Sequence, residues 1–176
     1  RVLESTHPVG GVLLVHGLSD SPYSLRKMGE RLHAEGYTVI WLRVPGHGTN
    51  PHALAEVGWD DWTAAVKIAV EGLRSRLPDG LPLILAGYSN GGALSVHYAL
   101  SALDEPRLPQ VNAIVLFSPM IELQCLKKAW AIQMDQHPPN AILGLILQIS
   151  SLPVSPSTLL LHSLEEIFDD FPLLFL

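Results

Sequence analysis

One stretch restricts the possible folds more than any other: Gly87-Tyr88-Ser89-Asn90-Gly91. The residues before it, Leu-Ile-Leu-Ala at 83–86, have the length and composition of a strand buried on both faces. After it, Ala93, Leu94, His97 and Leu100 recur at helical spacing. A serine between a strand and a helix, with glycine two residues to either side, predicts a turn too tight for side chains at 87 or 91. In that context G-x-S-x-G reads as a nucleophile elbow. It would hold the Ser89 hydroxyl out at the carboxyl end of a sheet. The Asn90 N–H, at the helix start, would face the place where negative charge develops.

The rest of the first two-thirds alternates strand with helix. Residues 12–15 form an apolar strand between Gly10-Gly11 and His16-Gly17. Ser21-Pro22 reads as an N-cap with proline in the first helical position, Leu25, Met28 and Leu32 as the inner face, and Gly36 as the close. Residues 38–42 make a β-branched and aromatic strand. Pro45-Gly46-His47-Gly48 turns the chain into a loop reaching about Glu56. A helix follows from about Trp59, with Asp60 and Asp61 at its positive end and Trp62, Val66, Ala69 and Leu73 as its apolar stripe. Pro78-Asp79-Gly80 stops it, and residues 111–117 form a further buried strand. The predicted class is α/β, a mostly parallel sheet with helices on both faces.

Beyond Met120 the pattern weakens. Helices are expected at 126–134 and 140–150 and a strand at 158–161, followed by the acidic residues Glu165, Glu166, Asp169 and Asp170. A chain of 176 residues is expected to form one domain, 1–176. A formal net charge of -6 leaves no footprint for nucleic acid or an anionic membrane. The single cysteine, Cys125, excludes an internal disulfide and reads as a buried structural thiol. No two histidines with a carboxylate share metal-ligand spacing on one element, so no metal site is expected. The apolar run 141–149 is too short to span a bilayer. Arg1 opens the chain without a basic-then-apolar leader, which gives a cytoplasmic expectation with the true N-terminus missing. The last residues, Phe171-Pro172-Leu173-Leu174-Phe175-Leu176, are apolar; they are expected to be docked, covered in a homo-oligomer, or cut short.

Several spaced motifs together carry a family resemblance. They are Leu14-Val15-His16-Gly17 with Ser21-Pro22, Val44-Pro45-Gly46-His47-Gly48-Thr49-Asn50-Pro51, Asp61-Trp62, and Gly87-Tyr88-Ser89-Asn90-Gly91-Gly92. Over residues 12–120 the chain resembles the α/β-hydrolase superfamily. Within it, the likeness is to the bacterial monoacylglycerol lipase and carboxylesterase group, which overlaps the serine aminopeptidase-like hydrolases. The resemblance implies hydrolysis of small-molecule carboxylic esters of short or medium acyl chain, without a cofactor. It further implies Ser89 as nucleophile and the Leu18 and Asn90 amides as oxyanion-hole donors. His16 is then a residue that shapes the hole, and not the base.

The remaining catalytic residues depart from the family. Such enzymes order their triad Ser, acid, His, with the acid after a late strand. Thr158-Leu159-Leu160-Leu161-His162-Ser163-Leu164-Glu165-Glu166 looks like that strand and its His-Gly-x-x-Asp sequel, which puts Glu166 in the acid's place. Asp169 serves if the loop is three residues longer. Either carboxylate can hold an imidazole in the required tautomer. The lid, read as residues 120–157, is shortened. No histidine follows His162. Three accounts of the base stand side by side: a fragment or damaged gene end, recruitment of His162 or His137, or a protein that binds without turnover. His47 reads as loop packing, His97 as a core or boundary residue, and His7, His33 and His52 as surface residues.

Overall fold

The computed structural model describes residues 1–120. Cys125 and all the elements expected beyond Met120 lie outside the described residues.

The strands are β1 (Val2–Leu3), β2 (Gly10–Val15), β3 (Tyr37–Leu42), β4 (Leu83–Tyr88) and β5 (Ala113–Phe117). They form one sheet in the order β1-β3-β2-β4-β5. β2 pairs in parallel with both β3 and β4, and β4 pairs in parallel with β5. Only β1 runs antiparallel, placing Val2 opposite Ile40. Its two residues are too few to show a periodicity, so no pattern announces them. Every residue of β2 is buried, as a central strand covered on both faces must be.

Alternation along the strands sorts the core into two layers. Val12, Leu14, Val39, Trp41, Ile84, Ala86, Ala113 and Val115 face the helix α1 (Arg26–Ala34), which contributes Leu25 (at its N-cap), Met28 and Leu32. Leu13, Val15, Ile40, Leu83, Leu85 and Ile114 face the opposite way, against α2 (Trp59–Arg74) and α3 (Asn90–Asp104). From the second layer come Val66, Val70 and Leu73 of α2 and Leu94, Tyr98 and Ala99 of α3. After β2 the chain moves to one side of that strand to form β3, and then crosses to the other side for β4 and β5. The strand order therefore reverses between β2 and β4. In open parallel sheets, ligand crevices lie outside the carboxyl ends of the strands at such a reversal.

Local differences from the sequence reading have identifiable causes. Ser21-Pro22 opens a turn rather than the helix. The Asp20 carboxylate accepts from the Ser21 N–H at 2.7 Å and the Ser24 hydroxyl at 2.7 Å, and α1 begins only at Arg26. The loop read through Glu56 contains a 3-10 segment, Pro51–Glu56, capped by the Asn50 side chain accepting from the His52 N–H at 3.0 Å. At the start of β5, Asn112 takes both backbone groups of Leu83: its N–H donates to the Leu83 carbonyl, and its side-chain oxygen accepts from the Leu83 N–H.

α1 is fitted to the sheet through a glycine. Trp41 lies flat against Gly29, where a Cβ would come within 2.1 Å of the indole, and its Nε1–H donates to the Leu25 carbonyl at 3.0 Å. Gly29→Ala is therefore expected to lower stability by about 1–3 kcal/mol, the usual cost of overpacking a core. Urea denaturation checks it, and an unchanged midpoint would show that the helix and indole separate freely.

Candidate active site

The carboxyl ends of β2, β4 and β5 converge, and Ser89 sits at the centre. It adopts φ 51 and ψ -115 between the last residue of β4 and the first of α3. That is a left-handed φ which non-glycine residues occupy at a cost of order 1–3 kcal/mol. The surroundings over-determine it. The Ser89 N–H donates to the Phe117 carbonyl at 2.9 Å, and the Ser89 carbonyl accepts from Gly92 at 3.0 Å, Ala93 at 3.3 Å and Met120 at 3.0 Å.

Two glycines let strand and helix close on this bend. A Cβ on Gly87 would lie 2.4 Å from the Gly91 carbonyl oxygen, and one on Gly91 would lie 2.1 Å from the Val15 carbonyl oxygen. Both neighbours are backbone, so no side-chain rotation relieves either clash. Gly91 thus seats the first turn of α3 directly on the end of β2. Ser95 reinforces that turn by donating its hydroxyl to the Gly91 carbonyl at 2.8 Å.

The segment after β2 runs alongside. A Cβ on Gly17 would stand 3.1 Å from the Tyr88 ring and 3.2 Å from the Ser89 Cβ, so the backbone of Gly17 passes close beside the serine. Leu18 follows. Among the described residues, neither the Leu18 N–H nor the Asn90 N–H donates a hydrogen bond. The structure therefore brings Leu18, Ser89 and Asn90 to one place, with Gly87 and Gly91 beneath them.

His16 fastens the β2 loop. The Val44 N–H donates to its Nε2 at 3.2 Å, which leaves the ring proton on Nδ1, donated to the Gly17 carbonyl at 2.8 Å. Both nitrogens are thus occupied by backbone. Burial pushes the imidazole below its ordinary pKa; the Gly17 bond opposes that shift, His47 adds to it, and Asp20 opposes it. His47 packs edge-on against His16, with ring centres 5.1 Å apart, and against Trp62 at 5.7 Å. Its Nδ1 and the Trp62 Nε1–H both donate to the Pro45 carbonyl, at 2.8 and 3.2 Å. The His47 Nε2 is buried without a partner among the described residues. His97 stacks edge-on with Trp59 at 5.5 Å, and burial, followed by the charge of Lys67, lowers its pKa.

Sequence reasoning missed how widely the strain is spread. Among the described residues, the non-glycine residues with positive φ are Ser19, Ser89 and Ser118, which follow β2, β4 and β5 respectively. The Val44 tie to His16 and the packing of Tyr88 on Gly17 were missed as well, and no local pattern announces either. Glu166, Asp169, His162 and His137 lie outside the described residues. Among the described residues, no group of three or more His, Cys, Asp and Glu side chains could hold a metal ion. No helix among them is long and apolar enough to cross a membrane.

A parallel sheet with helices on both faces and a strained serine between strand and helix defines an α/β-hydrolase fold. The family model described as serine aminopeptidase, S33, matches residues 6–160, and the chain belongs to that family. A thermostable monoacylglycerol lipase of Bacillus sp. (strain H-257) is 34% identical over 105 residues, covering 60% of this chain and 41% of the lipase. A carboxylesterase of Bacillus subtilis (strain 168) is 36% identical over 86 residues, covering 48% of this chain and 34% of the esterase. Among solved structures, one from a study of the metagenome-derived lipolytic enzymes LipS and LipT superposes with a TM-score of 0.57 at 34% identity. It covers 68% of this chain and 45% of that one. The chain thus spans less than half the length of each of these relatives.

Two expected outcomes follow from the site. Gly91→Ala should destabilise the chain by at least about 1–3 kcal/mol, because its methyl meets a backbone carbonyl that cannot rotate away. A wild-type-like melting curve would contradict the close approach. The second concerns pH. His16 has a folded-state pKa below its unfolded value near 6.5, so the unfolded chain takes up the proton first as pH falls. Stability present above about pH 6.5 should decline as the pH falls below it, and His97 should act in the same direction. His16→Gln should flatten the decline in urea midpoint, and an identical slope in wild type and variant would remove His16 as a source.

Proposed function

We propose that this chain carries the nucleophile and oxyanion half of a serine hydrolase acting on carboxylic esters. The observation that carries the proposal is the conformation of Ser89, held at a costly φ by backbone contacts beside two amides that, among the described residues, donate to nothing. In this reading the Ser89 Oγ attacks the ester carbonyl carbon. A base accepts the hydroxyl proton and passes it to the departing alcohol, and water then releases the acyl group from the serine. The amides of Leu18 and Asn90 receive the charge that forms on the carbonyl oxygen. Each such donor is worth ~10²–10³ in rate.

Glu166 is proposed as the acid, with Asp169 next in line. The base is proposed to come from His162 or His137. The substrate class proposed is an ester of short or medium acyl chain, or a monoacylglycerol. The names of the lipase and carboxylesterase relatives support that choice.

A second reading has its own observation. Among the described residues His16 has both ring nitrogens engaged, by Val44 and Gly17, and His47 is buried against the His16 and Trp62 rings with its Nδ1 on the Pro45 carbonyl. A chain with no base at Ser89 would bind esters and turn them over slowly or not at all.

Hydrolysis of p-nitrophenyl butyrate separates the two readings. If the chain is a hydrolase, Ser89→Ala should lower kcat by about 10³-fold or more, and Glu166→Gln should lower it strongly. Equal background rates in wild type and Ser89→Ala would establish the binder. A rate unchanged in Glu166→Gln alone would remove Glu166 as the acid and leave Ser89 in place.

A further inference from the structure

Large apolar side chains exposed one at a time are ordinary on a protein surface. Val2, Val9, Tyr23 and Ile68 are of that kind, each on a different segment of the chain. Leu18, Tyr88 and Met120 are not scattered in this way. They stand 45%, 42% and 56% exposed, and all three adjoin Ser89. Tyr88 precedes the serine, and its ring lies over Gly17. Leu18 extends from that same glycine, whose backbone passes beside the Ser89 Cβ. Met120 donates its N–H to the Ser89 carbonyl at 3.0 Å. Three segments, following β2, ending β4 and following β5, thus bring exposed apolar residues beside Ser89. Among the described residues, the charged group nearest in sequence to any of the three is Asp20, and its carboxylate is engaged by Ser21 and Ser24.

We infer that Leu18, Tyr88 and Met120 form an apolar lip that takes the alkyl part of the substrate, so that this chain prefers medium-length acyl groups to acetyl. The inference rests on Ser89 being the nucleophile. Any acyl group transferred to its Oγ is tethered within a few bonds of these side chains. The tether commits the surface to an alkyl occupant. Each methylene fully removed from water contributes about a fourfold gain in binding, so even a half-covering lip discriminates between two and eight carbons. Tyr88 and Met120 are specificity-determining residues here, and Leu18 adds its side chain to the lip while its backbone N–H serves the oxyanion.

The test is the rate at which Ser89 of the full chain is labelled by ethyl- and octyl-fluorophosphonate. The Oγ–P bond forms, the P–F bond breaks, and the hydroxyl proton leaves with the fluoride. Labelling stops at the covalent adduct, so it reads the lip from a single step without the release of product. The octyl reagent is expected to react at least about 10-fold faster than the ethyl reagent in wild type. Tyr88→Ser and Met120→Ser should each cut that ratio about threefold or more. Using the ratio cancels any change in the intrinsic reactivity of the serine.

Labelling of Ser89 with no preference for chain length would overturn the lip and leave the nucleophile standing. A preference that persists undiminished in both variants would place the alkyl site elsewhere and equally overturn the inference. If neither reagent labels Ser89 in folded wild type, the nucleophile itself fails, and the lip with it.

Discussion

The structure depends on a contact in which no side chain takes part. The first turn of α3 rests on the carbonyl oxygens of Val15 and His16 through Gly91, and β4 passes under that turn through Gly87. A Cβ on either glycine would run into backbone, so only glycine permits the approach at these two positions. The approach forces Ser89 into its left-handed bend, and the bend separates strand from helix within one residue. Hydrogen bonds from the end of β5 hold it: Phe117 accepts from Ser89, and Met120 donates to it. Relaxing the serine would mean withdrawing the helix from β2 and breaking its links to the end of β5.

The two-layered core gives this contact something rigid to act on. β2 is buried along its whole length, with α1 on one face and α2 and α3 on the other. Its carboxyl end is fixed to about the precision of the packing, and the loop that follows inherits that position. His16 extends the brace. By accepting from Val44 and donating to Gly17, it ties the end of β3 to the loop beside Ser89 with a neutral ring. Burial disfavours charging that ring, which keeps its acceptor available. Costly backbone angles at Ser19, Ser89 and Ser118 then gather at one edge of a sheet that is otherwise regular. Strain collected at the carboxyl ends of adjacent strands is where a functional site is expected.

Much of this was legible in the sequence because it is local. The elbow announces itself through Gly87 and Gly91, and the buried strands through short apolar runs bounded by glycine and proline. The inner face of α1 was visible in Leu25, Met28 and Leu32. Its first turn was not, since Asp20 draws the Ser21 N–H and Ser24 hydroxyl into a separate turn. β1 was missed because an edge strand of two residues carries no alternation. The His16–Val44 bond joins residues 28 positions apart, and the packing of Tyr88 on Gly17 crosses from β4 to the β2 loop. Such contacts exist only once the sheet has formed. Ser89, Leu18 and Asn90 belong to the legible part. The acid and base positions, at Glu166 and His162, lie outside the described residues.

In the proposed hydrolase, the bend at Ser89 places an oxygen attached to its adduct within reach of the Leu18 and Asn90 amides. A crystal structure of the chain after reaction with phenylmethylsulfonyl fluoride measures this directly. Ser89 should be modified and still at positive φ, with one sulfonyl oxygen about 2.7–3.1 Å from both the Leu18 and Asn90 nitrogens. A modified serine in a relaxed loop at negative φ, or an adduct oxygen turned away from both amides, would contradict it.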